Sequence, residues 1–334
     1  MNYKISIIGA GSWGTALARI ISDNGHQVLI YDINPETINE INTFHTNKSK
    51  LPNGVLNDNV RGTVNLEEAI AFCDIVLLVV PTKVIRSVLE NINSVIKSKK
   101  IFVNASKGIE PGTFKRVSEI VYEVIDNQYI DSFVALTGPS HAEEVILQML
   151  TSVTAASDNE KSSLIIQRIF SNQTYFRVYA LNDLIGAELG GSLKNIIALA
   201  SGMLDGLGYG DNAKAALVTR GLVEMEKLAV ALGAKENTLY GLTGLGDLVV
   251  TCFSPHSRNF QAGKKIASGK DLDKALQEMT MVVEGARSCE AAYFASKNLN
   301  IETPIIDAVY EVIYEHHHPQ DVINILMQRK LKSE

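Results

Sequence analysis

The strongest constraint on the fold of this chain is a glycine-rich turn directly after its first apolar segment. Residues 5–14 read Ile-Ser-Ile-Ile-Gly-Ala-Gly-Ser-Trp-Gly, a strand that runs into a G-x-G-x-x-G turn. Gly9 permits the tight turn, Gly11 lets the backbone approach a pyrophosphate, and Gly14 lets helix and strand pack closely. A helix that begins near Ser12 directs free N–H groups and a partial positive charge towards phosphate.

The segment after this helix supports the same interpretation. A second apolar strand, residues 26–32, ends on Asp32, about 20 residues beyond the turn, where a dinucleotide-binding unit places a carboxylate for the ribose. The pattern therefore predicts dinucleotide binding. The backbone N–H of Ser12 is an expected phosphate contact, and Trp13 is expected to cover the pyrophosphate or close the cleft.

Composition restricts the class of protein. The chain has 334 residues, of which 46% are hydrophobic and 20% charged, which is typical of a globular protein of two domains. A net charge of −6 argues against nucleic acid as a partner. No apolar run reaches the roughly 20 residues of a membrane span, and a strand begins too early for a signal peptide. Three scattered cysteines without a CxxC pair indicate a reducing compartment, and we expect a cytoplasmic protein.

The first half of the chain predicts a doubly wound α/β sheet. Residues 75–80 form a continuous apolar run, typical of a parallel strand that is buried on both faces. Further strands are predicted at 101–105, 133–136 and 152–156, with helices at 83–96, 114–125 and 160–170. Ligands bind at the carboxyl ends of such strands. Lys107, Gly138 and Ser140 lie at those ends.

Beyond about residue 180 the apolar period becomes helical. We predict a dinucleotide-binding domain over residues 1–180 and an all-helical substrate domain over 181–334. Helices are expected at 184–204, with Asn182 or Asp183 as N-cap, and then at 214–232, 237–250, 257–268, 284–297 and 304–315. Three adjacent histidines at 316–318 precede a proline. They cannot easily face one ion, so we expect a surface loop and no metal.

Several segments in order resemble the bacterial type of NAD(P)-dependent glycerol-3-phosphate dehydrogenase over essentially the whole length. They include Ser-Lys-Gly-Ile-Glu at 106–110, Gly-Pro-Ser-His-Ala-Glu-Glu at 138–144, Glu-Leu-Gly-Gly-Ser-Leu-Lys-Asn at 188–195 and Gly-Leu-Gly-Asp-Leu at 244–248. The resemblance implies a Rossmann-type domain with a helical domain like that of 6-phosphogluconate dehydrogenase. It also implies interconversion of dihydroxyacetone phosphate and sn-glycerol 3-phosphate, the backbone precursor of phospholipids.

Ketone reduction by hydride produces an alkoxide, which needs a proton, and the reverse direction needs a base. If the ammonium groups of Lys194 and Lys107 converge, one pKa falls towards neutrality. The resemblance implies Lys194 as proton acceptor and Lys107 as a contact to substrate and cofactor. Asp247 either orients a lysine or accepts a substrate hydroxyl, or it is simply a helix N-cap.

The remaining predicted contacts form two groups. Ser257, Arg258 and Asn259 offer a hydroxyl, a guanidinium and an amide at a helix start, a combination that suits phosphate. Asn195 is either a further phosphate contact or a helix-packing residue. The resemblance adds Gly138 and Ser140 on the substrate side, and it adds Arg258, Ala142, Val282 and Glu284 on the cofactor side.

Cofactor choice follows from the end of the second strand. Asp32 repels a 2′-phosphate, and the neutral Ile33 and Asn34 replace basic residues that relatives often carry. We therefore expect NAD to be preferred over NADP. Two further departures are Ser192 for alanine, and Leu150 where relatives commonly have proline, which predicts a local change in the chain path.

Three function classes compete. The first is glycerol-3-phosphate dehydrogenase. The second is a hydroxy-acid or sugar-acid dehydrogenase of the same plan, which would lack the segments around Asp247 and Arg258. The third is a nucleotide-sensing regulator, against which the retained lysines argue. A helical second domain often dimerises, so a homodimer is also to be tested.

Overall fold

The computed structural model describes residues 2–268 and 283–331. The chain divides into two compact units after Glu188. The first unit is an α/β domain, and the second unit is built from helices. The predicted division of function at residue 180 stays a prediction, and the boundary between the compact units lies eight residues later.

The first unit is organised around an eight-stranded sheet in the order β10-β9-β8-β7-β6-β1-β2-β5. All neighbouring strands are parallel except β8 and β9, which pair antiparallel. The sheet strands are β1 Lys4–Ile8, β2 Gln27–Tyr31, β5 Val60–Thr63, β6 Ile75–Leu78, β7 Lys100–Asn104, β8 Ile130–Thr137, β9 Thr151–Ala156 and β10 Phe176–Leu181. The predicted doubly wound class is confirmed.

Helices cover the sheet, and a short hairpin is inserted beside it. The helices are α1 Ser12–Asp23, α2 Pro35–Phe44, α3 Leu66–Phe72, α4 Thr82–Val95, α5 Val117–Val124, α6 Ala142–Val145 and α7 Glu160–Phe170. Strands β3 Thr46–Asn47 and β4 Leu51–Val55 form the hairpin. Strand β6 is buried along its whole length, as its apolar run predicts for a central strand.

None of α2, β3, β4, β5, α3 and α6 was predicted from the sequence, and two further differences concern β10 and α5. Strand β10 was not predicted, although its apolar residues alternate with exposed Arg177 and Tyr179, as in an edge strand with one solvated face. Helix α5 begins at Val117 rather than at residue 114. Phe114 has a φ of +59°, and its N–H donates to the carbonyl of Glu110, so the chain closes a loop there.

The first helix of the second unit begins in the last residues of the first unit. This helix is α8, Leu184–Gly206, and Asp183 accepts from the N–H of Gly186 at 2.9 Å, as an N-cap does. The others are α9 Asp211–Ala231, α10 Asp247–Phe253, α11 Arg258–Ala267, α12 Glu284–Asn298, α13 Pro304–Tyr314 and α14 Pro319–Met327. Within the described residues, no helix is both long enough and apolar enough to cross a membrane.

The prediction of a single helix over residues 237–250 is wrong. The segment forms a 3-10 turn at Thr238–Tyr240, a π turn at Leu242–Gly246, and only then α10. Its glycines are set against backbone: a Cβ at Gly244 would lie 2.0 Å from the carbonyl oxygen of Leu239. This close packing replaces regular helix and determines where α10 starts.

Backbone contact between helices defines the centre of the second unit. A Cβ at Gly202 of α8 would lie 2.0 Å from the carbonyl oxygen of Phe260, and one at Gly263 of α11 would lie 2.0 Å from that of Leu199. Glycine lets the two helices approach more closely than any side chain would allow. The contacts fix α8 beside α11, and the candidate site residues on these helices are positioned by them.

The carboxylate of Asp23, at the end of α1, joins distant segments of the first unit. It accepts hydrogen bonds from Arg19 and Asn57 on one oxygen, and from Gln148 and Tyr175 on the other, at 2.7–3.0 Å. Burial raises the pKa of Asp23, but these hydrogen bonds outweigh it, and the net pKa lies below its usual value. Asn57 follows the inserted hairpin, so this carboxylate anchors the hairpin's outgoing end.

We expect Asp23→Ala to lower the free energy of unfolding by about 1–3 kcal/mol, because it leaves several donors without their acceptor. A lowered native pKa stabilises the fold above the unfolded-state pKa of about 3.9, and this contribution disappears as pH falls through the native value. Urea unfolding of wild type and Asp23→Ala at pH 7 and pH 3 tests this. An equal difference at both pH values would contradict it.

Candidate active site

The three glycines of the turn between β1 and α1 serve different purposes. Gly9 has a φ of +115°, and a Cβ there would lie 2.9 Å from the carbonyl oxygen of Val79. A Cβ at Gly14 would lie 2.1 Å from the carbonyl oxygen of Gly9, so helix and turn are in backbone contact. At Gly11 a Cβ would meet nothing within 4 Å. Gly11 therefore has an open side from which a ligand can approach the backbone.

The first turn of α1 is suited to an anion. Gly11 is its N-cap, no side chain caps it, and it holds no acidic residue. Trp13 follows, with its indole N–H buried and without a hydrogen-bond acceptor in the described part of the chain. The pyrophosphate of a dinucleotide fits these three features: the open side of Gly11, the uncapped N–H groups of α1 and the indole N–H of Trp13.

Asp32 lies directly after β2, and its carboxylate is turned to the glycine-rich turn. Its Oδ2 accepts from the N–H of Ala10 at 2.7 Å, and its Oδ1 accepts from the N–H of Asn34 at 3.0 Å. The side chain therefore also caps the turn that precedes α2. It is half-buried, which leaves part of the carboxylate accessible.

A residue that the sequence reasoning missed completes this turn. Asn47 of β3 is 1% exposed, and its Nδ2 donates to the carbonyl of Ala10 at 2.8 Å and to Thr15 Oγ1 at 2.9 Å. Ser12 Oγ donates to the carbonyl of Lys50 at 3.0 Å. The hairpin between α2 and β5 is thus bonded to the turn, and no local sequence signal connects residues so far apart.

The structure brings together the predicted residues at the ends of β7 and β8. Lys107 Nζ lies 2.9 Å from the carbonyl oxygen of Gly138 and 3.5 Å from Ser140 Oγ. Gly138 has a φ of +139°, which glycine adopts readily. Ala142 begins α6, which packs against α1, and it shares a core cluster with Ala10. These residues form one group in the first unit.

In the second unit, Lys194 is 4% exposed and held by two acceptors. Its Nζ lies 2.8 Å from Asp247 Oδ1 and 2.5 Å from Thr251 Oγ1. Asp247 is the first residue of α10, the N-cap is Gly246, and the carboxylate is directed to the ammonium group. The N-cap interpretation of Asp247 is therefore wrong. The predicted convergence of Lys194 with Lys107 stays a prediction.

Thr251 is a second residue that the sequence reasoning missed. It follows Asp247 by one helical turn, and its Oγ1 also donates to the carbonyl of Asp247 at 2.5 Å. The i, i+4 spacing from a buried carboxylate was the available signal. Its neighbour Cys252 is buried too, and burial raises the pKa of that thiol to about 12. Cys252 is thus a neutral packing residue at physiological pH.

The predicted phosphate contacts lie on two helices of the second unit, α8 and α11. Ser257 caps α11 by accepting from the N–H of Phe260. The amide of Asn259 donates to Asn195 Oδ1 and accepts from the N–H of Gly285, both at 2.9 Å. Asn195 thus has the helix-packing role. Its own Nδ2 donates to the carbonyl of Gly191 at 3.3 Å, which leaves one amide hydrogen for a ligand. Arg258 is exposed and forms no ion pair with any residue that the structure describes.

The remaining predicted positions are the two cofactor-side residues Val282 and Glu284 and the three histidines at 316–318. Glu284 is half-buried at the start of α12, beside Gly285, and Val282 lies outside the described residues. His318 caps α14, and His317 lies 3.7 Å from a carboxylate oxygen of Glu311. Across residues 2–268 and 283–331, no cluster of three or more candidate metal ligands occurs.

Comparison with known proteins identifies the family of this chain. The chain matches the family model for the N-terminus of NAD-dependent glycerol-3-phosphate dehydrogenase over residues 4–163, and that for its C-terminus over residues 183–324. It is 47% identical to a glycerol-3-phosphate dehydrogenase (NAD(P)+) of Enterococcus faecalis over 334 residues, which cover 100% of this chain and 98% of the relative. The identity to a Staphylococcus aureus enzyme of the same name is 48% over 331 residues, covering 99% of both chains.

A solved structure gives the same result. The crystal structure of glycerol-3-phosphate dehydrogenase from Coxiella burnetii superposes with a TM-score of 0.91 at 34% identity, covering 98% of this chain and 99% of that one. Both family models, the full-length relatives and the superposition thus agree on one assignment. The chain belongs to the NAD-dependent glycerol-3-phosphate dehydrogenase family.

Proposed function

We propose that the protein reduces dihydroxyacetone phosphate to sn-glycerol 3-phosphate and catalyses the reverse reaction. The observation that carries this proposal is the buried Lys194, held by Asp247 and Thr251. The bound nicotinamide supplies or accepts the hydride. Lys194 supplies the proton to the oxygen that was the carbonyl, and it takes that proton back in the other direction. Asp247 stabilises the ammonium form, and Thr251 restricts its orientation.

The substrate phosphate is assigned to the start of α11. Ser257, Arg258 and Asn259 present a hydroxyl, an exposed guanidinium and an amide around the N–H groups of a helix N-terminus. Asn195 is held against Asn259 and extends this polar surface along α8. Lys107, Gly138 and Ser140 are assigned to the substrate as well, from the first unit.

The cofactor is assigned to the glycine-rich turn, with NAD preferred over NADP. The family is NAD-dependent. The proposed preference for NAD over NADP rests on Asp32. Its carboxylate is half-buried at the turn, while Ile33 is 83% exposed and uncharged. A 2′-phosphate next to Asp32 would meet a like charge without a compensating cation nearby in sequence. Ala142, Arg258, Val282 and Glu284 are the further proposed contacts.

The physiological setting is part of the proposal. sn-Glycerol 3-phosphate is a precursor of phospholipids, so we infer a role in phospholipid synthesis in the cytoplasm. The three cysteines are buried free thiols, which supports a reducing compartment. We further propose a homodimer, for which light scattering on the purified protein is the test.

Lys194→Ala should lower kcat for dihydroxyacetone phosphate by roughly 10²–10⁴, because it removes the proton donor. Oxidation of NADH at 340 nm measures kcat, and quenching of the single tryptophan, Trp13, measures NADH binding, which we expect to be unchanged. Added small primary amines should restore part of the rate. Lys227→Ala, an exposed lysine of α9, is the matched control. A Lys194→Ala enzyme that keeps more than about a tenth of kcat contradicts the assignment.

Arg258→Ala should lower kcat/KM for dihydroxyacetone phosphate by roughly 30-fold or more, since a charge-assisted phosphate contact is worth about 2–5 kcal/mol. Dihydroxyacetone without phosphate never makes this contact, so its slow turnover should hardly change. Arg220→Ala on α9 provides an exposed arginine as control. Equal losses for both ketones would contradict the assignment of Arg258 to the substrate phosphate.

The kcat/KM for NADH should exceed that for NADPH by about tenfold or more at one ionic strength, which corresponds to about 1.4 kcal/mol of repulsion. Asp32→Asn removes the negative charge and keeps an oxygen that accepts from Ala10. It should therefore shift the ratio towards NADPH. A wild-type ratio near one, or a ratio that does not respond to Asp32→Asn, would show that Asp32 does not face the ribose.

A further inference from the structure

Side chains hold both backbone polar groups of Ala10, which belong to two successive peptide groups. The N–H of Ala10 donates to Asp32 Oδ2 at 2.7 Å, and its carbonyl accepts from Asn47 Nδ2 at 2.8 Å. The other hydrogen of that amide goes to Thr15 Oγ1, one turn into α1. A single side chain from the inserted hairpin thus bridges the turn and the helix that follows it.

The bond to the Ala10 carbonyl also fixes the next N–H. The carbonyl of Ala10 and the N–H of Gly11 belong to one trans peptide group, in which these bonds point in opposite directions. With the carbonyl directed to Asn47, the Gly11 N–H is directed away from it. The backbone does not impose this orientation by itself, because Gly11 has an ordinary extended conformation, with φ −70° and ψ −179°, and open space around its Cα.

We infer that Asn47 is a positioning residue for cofactor binding. By holding the Ala10–Gly11 peptide in one orientation, it presents the Gly11 N–H and the start of α1 to the pyrophosphate before the ligand arrives. Without it, the peptide at this glycine can rotate, and binding must restrict that freedom at a cost in affinity. This inference rests on the proposed assignment of the cofactor to the glycine-rich turn.

The simpler alternative is that Asn47 only fastens the hairpin to the domain. The chain offers a matched control, because Asn57 fastens the outgoing end of the same segment. Its Nδ2 also makes two bonds, to Ser22 Oγ at 2.9 Å and to Asp23 Oδ1 at 2.7 Å, at the opposite end of α1. If each asparagine only fastens the segment to the domain, Asn47→Ala and Asn57→Ala should change the affinity for the cofactor alike.

The test measures the Kd of NADH, ADP-ribose and adenosine for wild type, Asn47→Ala and Asn57→Ala in the full chain. Quenching of Trp13 reports NADH, and competition with NADH reports the other two. We expect Asn47→Ala to raise the Kd of NADH and ADP-ribose about tenfold, the effect of one lost hydrogen bond of about 1.4 kcal/mol. The Kd of adenosine, which has no phosphate, should change less than about threefold, and Asn57→Ala should leave all three values unchanged.

Kinetics supply a second readout. In Asn47→Ala the KM for NADH should rise, while kcat at saturating NADH and the KM for dihydroxyacetone phosphate stay near wild type. If Asn47→Ala does not fold, Asn47→Ser, whose hydroxyl can donate one bond, should give an intermediate Kd for ADP-ribose. ADP-ribose binding as in wild type, or equal losses for adenosine and ADP-ribose, would overturn the inference. Failure of the wild type to bind NADH would instead overturn the proposed function.

Discussion

The buried ion pair of Lys194 and Asp247 is the interaction on which the second unit depends. Two charges this far from water are costly, and the pair is tolerable only when its geometry is good and further hydrogen bonds satisfy it. Thr251 provides one such bond from the next turn of α10. Loss of one partner would leave the other charge buried alone. Helices α8 and α10, which carry the three residues, must therefore keep their relative positions.

Close backbone contacts at glycines hold these helices in their relative positions. Gly190 of α8 lies one turn before Lys194, and a Cβ there would lie 2.7 Å from the carbonyl oxygen of Thr243 in the π turn that leads into α10. Gly202, two turns after Lys194, is in similar contact with α11. Backbone thus meets backbone on both sides of the lysine. The same contacts place Asn195 against Asn259, so the residues proposed for proton transfer and for phosphate binding share one scaffold.

The sequence predicted the parts of the protein that depend on local pattern. The central strands, the glycine-rich turn and the long helices follow from apolar period and from glycine spacing. It did not predict the edge strand β10, whose alternating pattern is short, or the broken segment before α10, where close backbone packing at Gly244 overrides local preference. It also missed Asn47 and Thr251. Each of these is an ordinary polar residue in sequence, and only the fold gives it a buried partner.

Asp32 shows why cofactor choice and turn geometry are linked in this chain. One oxygen of its carboxylate holds the N–H of Ala10, and the other holds the N–H of Asn34 at the start of the next helix. Asn47 holds the carbonyl of the same residue, Ala10, which belongs to the next peptide group. The group proposed to select between ribose hydroxyls and a 2′-phosphate is therefore also half of the clamp on the pyrophosphate turn. If Asp32 repels a 2′-phosphate as proposed, a residue without an acceptor at position 32 would remove the repulsion and loosen the turn together. A neutral residue that still accepts from the N–H of Ala10 would remove the repulsion alone.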